Sequence, residues 1–362
     1  MKSAISLRSP SNPETDPPSR PVTRPSGRRW AWVAGLVVSI ALLAWTFHDI
    51  DARSMVGHVR RADPLWLAVT VVLATLTFPL RTVRWRLILR DAGGQSFPWI
   101  PMWRATAIGF MANNLLPARV GELARAYIAS RELPARFTTA LASVGVERVF
   151  DGLVLLGLMA LAIAAPSFPA HTDLGGVALS RIATGAAAAF GTTLVLALLV
   201  AHRPEPWLRA LRALTNRLLP SRMADRVTHM AEGIVGGLAV LKHPARFGAV
   251  VAWSLALWLV NAAAFAACVR AFGLTVPVEG ALLLQGVIAV GVAFPSSPSG
   301  AGVFEAATRV TLVAYGVDPE RAVAYALTYH VTTFVPIVLL GLHSLSQIHL
   351  GLRELGRAKA AT

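Results

Sequence analysis

Apolar residues recur along this chain in runs long enough to cross a bilayer, and polar stretches separate them. About 20 consecutive, mostly apolar residues make a membrane-spanning helix. Residues 30–47, 65–88, 138–165, 179–200, 247–269 and 322–345 approach or exceed that length. Two further apolar runs, 99–116 and 280–294, end differently. The first runs into Asn113-Asn114-Leu115-Leu116-Pro117-Ala118-Arg119-Val120-Gly121-Glu122. Pro117 removes a backbone donor and biases Leu116 away from the helical region, while Gly121 tolerates almost any backbone conformation. Helical spacing then resumes, with Glu122 and Arg125 three apart on one face. The second run breaks at Pro295, Pro298, Gly300 and Gly302, and a new helix over 303–315 begins near Glu305. The pattern predicts an all-α integral membrane protein with six full transmembrane helices and two re-entrant broken-helix hairpins, about eight membrane helices in all.

Composition narrows the class. Hydrophobic residues make up 55% of the 362 and charged ones only 15%, with a mean hydropathy of +0.56. A soluble domain carries about 25% charged residues. The net charge of +15 raises nucleic acid as a partner, but the basic residues lie between the apolar runs. Loops facing anionic lipid account for that better, so membrane lipids are the expected partners and nucleic acid is not. The lone Cys268 excludes a disulfide framework and a Cys-based metal site.

Charge also orients the chain. Residues 1–29 are rich in Pro, Ser and Arg and read as a disordered cytoplasmic tail, and 351–362 as a second one. Between them lies a polytopic membrane domain, 30–350. Residues 202–246 carry eight basic side chains against three acids, with apolar spacing that suits an amphipathic segment on the cytoplasmic surface. The cluster Arg81, Arg84, Arg86, Arg90 is expected at the cytoplasmic interface, and the charge-balanced 48–64 loop outside. With the N-terminus in the cytoplasm, these sides agree only if 99–116 and 280–315 each enter and leave on one face. Units 65–165 and 247–345 then form an inverted repeat, a recurrent plan among secondary transporters. The location implied is the cytoplasmic membrane.

Three motifs, Pro117-x-Arg119-x-Gly121-Glu122-x-x-Arg125, Glu147-Arg148-x-x-Asp151 and Pro298-x-Gly300-x-Gly302-x-x-Glu305, resemble the lysylphosphatidylglycerol synthase transmembrane-region family. The resemblance spans about 30–350 and implies a flippase-like protein that moves a phospholipid or lipid-linked headgroup between leaflets. No soluble aminoacyl-transferase domain is expected after residue 350, so the synthase name does not carry over.

The candidate substrate-binding residues are those with charge or broken backbone at membrane depth. Arg119 offers a guanidinium beside a helix N-terminus, a fit for phosphate; the alternative is a snorkelling interfacial Arg. Glu122 and Arg125 either pair in support of the hairpin or face the ligand. Glu147, Arg148 and Asp151 lie within one span; Arg148 and Asp151 can pair, and Glu147 with Asp151 leaves negative charge that seeks a cation. A buried structural ion network is the competing account. Glu305 either binds a headgroup amine, takes up a proton or caps its helix. Asn113 and Asn114 either hold the headgroup or satisfy broken backbone. Trp30, Trp66, Trp85, Trp99 and Trp103 read as an interface belt, and His330 and His343 as packed histidines. The triplet Asp49-Ile50-Asp51 resembles a metal-holding D-x-D, but it has no nucleotide-binding context. No cofactor or metal is expected. An enzyme needs a nucleophile or metal beside its base, and the sequence displays neither, so a lipid-acting transferase ranks second and a non-transporting accessory protein third.

Overall fold

The computed structural model describes residues 27–348, apart from 92, 117–119, 171–172, 175–176, 179–180, 238–243, 294–296 and most of 182–202. The expected tails 1–26 and 349–362, and most of the 179–200 span, therefore lie outside the described residues. Helix α1 (Gly27–Phe47) is followed by α2 (Ala52–Arg61), α3 (Pro64–Ile88), α4 (Trp99–Leu115), α5 (Val120–Glu132) and α6 (Phe137–Ala164). A small antiparallel ribbon pairs Asp173–Leu174 with Val177–Ala178. Then come α7 (Pro204–Leu218), α8 (Ser221–Gly237), α9 (Pro244–Ala271), α10 (Val278–Ala293), a 3-10 turn (Pro298–Gly300), α11 (Val303–Ala314) and α12 (Pro319–Gln347).

Helices α3, α9 and α12 are each long and apolar enough to cross a membrane. Helix α6 is as long as α9, at 28 residues, but Glu147, Arg148 and Asp151 interrupt its apolar sequence. Apolar side chains stand bare along these helices, among them Val72 and Leu76 on α3, Leu255 and Leu259 on α9, and Val331, Val335, Leu339 and Leu342 on α12. Their spacing of three and four keeps each set on one face. A face of that kind suits hydrocarbon, and the chain is a multi-pass membrane protein.

Two helical pairs are antiparallel hairpins, and small residues allow it. In the first, a Cβ on Gly121 would sit 1.9 Å from the Gly109 carbonyl oxygen, and one on Gly109 would sit 2.7 Å from Arg125 Cβ. The contacts 109–125 and 113–121 run in opposite directions, so α5 folds back along α4. In the second, Gly291 meets Val303 and Gly280 meets Tyr315, so α11 folds back along α10. Its turn passes through Ser299, Gly300 and Gly302 at φ of 60°, 73° and 88°. Only glycine takes such angles without strain. The Pro298–Gly300 turn packs against α4, which brings the two hairpins together. Pro117, Arg119 and Pro295 lie outside the described residues.

Two local expectations change. The 48–64 loop contains helix α2, because Asp51 caps it by accepting from the Arg53 and Ser54 amides. Within the 202–246 segment the described residues form α7 and α8, separated at Leu219 and Pro220, and the start of α9. Elsewhere caps place the boundaries: Asp63 precedes Pro64 and Asp318 precedes Pro319, each accepting from the two amides that follow the proline.

Candidate functional site

The α3 face that turns inward carries Thr70, Ala74, Thr77, Arg81, Arg84 and Ile88. Arg84 is fully buried and forks between two carboxylates: Nη1 donates to Asp151 Oδ1 at 2.6 Å and Nη2 to Glu147 Oε1 at 2.7 Å. The same Nη1 lies 3.1 Å from Ser254 Oγ on α9. Arg125 of α5 stands 2.9 Å from the other Glu147 oxygen, its guanidinium 3.8 Å above the Trp85 ring. Arg148 bridges Glu122 at 3.1 Å and Asp151 at 3.3 Å. Trp258 of α9 donates to Asp151 Oδ1 at 2.9 Å. Helices α3, α5, α6 and α9 are therefore joined at membrane depth by one ion network.

This arrangement corrects the expected sign of the charge. Glu147 and Asp151 do not leave negative charge seeking a cation, because Arg81 and Arg84 come inward rather than lying at the interface. Four guanidinium groups (81, 84, 125, 148) face three carboxylates (122, 147, 151). Arg81 has the longest ion contact of the four. It is 3.7 Å from Asp151, and its Nε and Nη1 have no hydrogen-bond partner among the described residues. Its guanidinium sits between the rings of Phe110 at 4.9 Å and Trp258 at 5.2 Å. A signal for the buried pair existed, since positions 70, 74, 77, 81, 84 and 88 step by four and three, as one helix face does.

Arg81 opens into a cavity of about 440 Å³. Polar side chains from both hairpins and from the long helices line it: Asn114, Arg148, Asp151, Asn261, Gln285, Ser299 and His330. Gln285 is 2% exposed, accepts from Asn261 at 3.2 Å, and keeps its Nε2 without a hydrogen-bond partner among the described residues. Buried polar groups are rarely left unmatched.

The remaining predicted residues divide. Asn113 satisfies broken backbone, accepting from the Gly121 amide at 2.9 Å, whereas Asn114 lines the cavity. Glu305 caps α11 by accepting from the Gly302 amide at 2.6 Å, and its other oxygen meets His330 Nδ1 at 2.6 Å. His330 is thus no inert packed histidine. Trp85 does not belong to an interface belt; it is buried, donating to Ser143 at 2.8 Å. Arg119 lies outside the described residues.

The Asp49-Ile50-Asp51 triplet is divided between two structural contacts, Asp51 capping α2 and Asp49 accepting from Arg309 at 2.5 Å. That hydrogen bond holds the Asp49 carboxyl below the ordinary carboxylate range. Among the described residues, one group of His, Asp and Glu brings its ligand atoms within 4.8 Å: His58, Asp318 and Glu320. Asp318 already caps α12, and Glu320 accepts from Ser54.

The fold and this charged interior define a class: a multi-pass helical membrane protein whose broken hairpins and long helices line a polar cavity. Residues 32–341 match the family described as the lysylphosphatidylglycerol synthase transmembrane region, and the chain belongs to it. It is 30% identical over 357 residues to a Haloferax volcanii protein named glycosyltransferase AglD, covering 90% of this chain and 55% of that one. A UPF0104 membrane protein of Methanothermobacter thermautotrophicus is 29% identical over 135 residues, 35% of this chain and 38% of that one. The chain thus spans about half or less of the length of the curated relatives it matches.

Proposed function

We propose that this protein moves an anionic lipid between the leaflets of the cytoplasmic membrane, holding the headgroup in the cavity and leaving the acyl chains in lipid. One observation carries this reading: Arg81, buried and with donors unmatched among the described residues, opens into a polar cavity between otherwise apolar helices. Charges at that depth are costly and usually functional. A volume of about 440 Å³ suits a headgroup, within the usual range of about 300–1,000 Å³ for ligand sites. The excess guanidinium favours phosphate over amine, so Glu147 and Asp151 serve to hold the arginines in place. Glu122, Arg125 and Arg148 then tune the field, Asn114 lines the cavity, and Glu305 holds His330 in its wall.

The finer architecture belongs to the same proposal: eight membrane helices, an N-terminus in the cytoplasm, and hairpins α4–α5 and α10–α11 as re-entrant elements of an inverted repeat. Rocking of the two units would alternate access to the cavity.

The test is leaflet-resolved movement of fluorescent phospholipids in proteoliposomes, comparing wild type with Arg81→Gln. Wild type is expected to move anionic lipids faster than zwitterionic ones, and the variant to lose that preference while keeping its fold. No movement of any lipid by folded wild type overturns the reading. The glycosyltransferase name of the Haloferax relative favours the second one, transfer chemistry on a lipid-linked substrate, although that name belongs to a longer protein.

A further inference from the structure

We infer that Ser299, His330 and Glu305 form a nucleophile, its base and an orienting carboxylate, able to open a carboxylic ester of a lipid in the cavity. Three separate pieces of chain contribute them: the turn between α10 and α11, the body of α12, and the first turn of α11. Glu305 Oε2 is occupied by the Gly302 amide, so Oε1 is the oxygen left for His330 Nδ1. A carboxylate oxygen only accepts, which places the imidazole proton on Nδ1. In the neutral ring His330 Nε2 then bears the lone pair, and it lies 2.6 Å from Ser299 Oγ. The serine hydroxyl is therefore the donor to the base. Nucleophile, base and orienting acid in mutual hydrogen-bond reach are the geometric signature of an activated serine.

The turn itself supports a purpose for the hydroxyl. Ser299 is the one non-glycine residue with positive φ among the described residues, and Gly300 and Gly302 show what such a turn accepts without strain. A side chain held at φ 60° points to a function for that side chain. Burial fits the roles as well: the Glu305 side chain is 4% exposed and the His330 side chain 15%, while both Ser299 and His330 line the cavity. Phe304 packs against the imidazole at 4.8 Å and limits its rotation. Gln285, whose Nε2 has no hydrogen-bond partner among the described residues, lines the same cavity.

The step balances with water alone. Ser299 Oγ bonds to the ester carbonyl carbon as its proton passes to His330 Nε2. The bond from that carbon to the alcohol oxygen breaks, and the alcohol leaves with the proton. Water then attacks the acyl-serine and gives a proton to His330, which passes it to Ser299 Oγ as the carbon–Oγ bond breaks, freeing the acid and the serine. A lipid alcohol in place of water makes the same chemistry an acyl transfer. Ser299 and His330 are the catalytic residues, and Glu305 positions the base.

The experiment is labelling of the purified full chain in lipid nanodiscs with a fluorophosphonate probe, read by peptide mass spectrometry. Wild type is expected to carry the adduct on Ser299. Ser299→Gly, which suits φ 60° and so keeps the turn, is expected to carry none, and His330→Gln to react at least ~100-fold more slowly. Release of carboxylic acid from phospholipid vesicles is expected to follow the same order. Folded wild type with no adduct on Ser299, or a labelling rate indifferent to His330→Gln, overturns the inference. Labelling needs no movement of lipid between leaflets, so its failure leaves the translocation reading standing, and the reverse holds too.

Discussion

Arg84 is fully buried and touches two carboxylates, so its loss tests how the site is held. A buried ion pair contributes little beyond what an apolar replacement would, yet removing one partner strands the other. Arg84→Met removes the group between Glu147 and Asp151 and leaves Arg81, Arg125 and Arg148 to hold them from one side each. The expected cost is about 3–5 kcal/mol, read as loss of thermal stability in detergent. Arg81→Gln is the contrasting change. Its guanidinium has a single ion contact, the long one to Asp151 among the described residues, so it should change lipid movement far more than stability.

At the scale of elements, the α4–α5 hairpin depends on backbone contact that no side chain permits. Gly121→Ala puts a methyl within 1.9 Å of the Gly109 carbonyl oxygen, a rigid group. The helices must separate, which also detaches the Gly121 amide from Asn113 and moves Arg125 away from Glu147. Overpacking of this kind costs about 1–3 kcal/mol. The expected outcome is a destabilised protein in thermal unfolding, with lipid movement reduced as well, because the displaced element carries part of the ion network. In the second hairpin Gly302 plays a matching part, where an added Cβ would meet the Ser39 carbonyl oxygen of α1 at 2.3 Å.

For the whole molecule, the proposed orientation can be read directly. Cys268 is the lone cysteine in the sequence and is buried, so a second one can be placed without removing it. With an impermeant maleimide on right-side-out vesicles, Arg53→Cys on α2 is expected to react and Arg209→Cys on α7 to stay silent until the membrane is opened. The opposite result would reverse the topology and carry the cavity's facing sides with it.

Hydrophobic run lengths, proline and glycine breaks and composition were sufficient to read a helical membrane protein with two interrupted segments, because lipid imposes those constraints locally on the chain. Boundaries followed from caps such as Asp63-Pro64 and Asp318-Pro319, which are local too. Partnership was different. Arg84 stands 63 and 67 positions from Glu147 and Asp151, and Ser299 stands 31 from His330. Spacing puts Arg81 and Arg84 on one helix face with Thr70, Ala74 and Thr77, but the packing of α3 against α9 and α6 decides that this face turns inward. Run lengths and charges told which residues are costly in a membrane, whereas only the tertiary structure decided which of them neutralise one another and which are left facing a cavity, because electrostatic pairing acts over distances in space that the chain order does not encode.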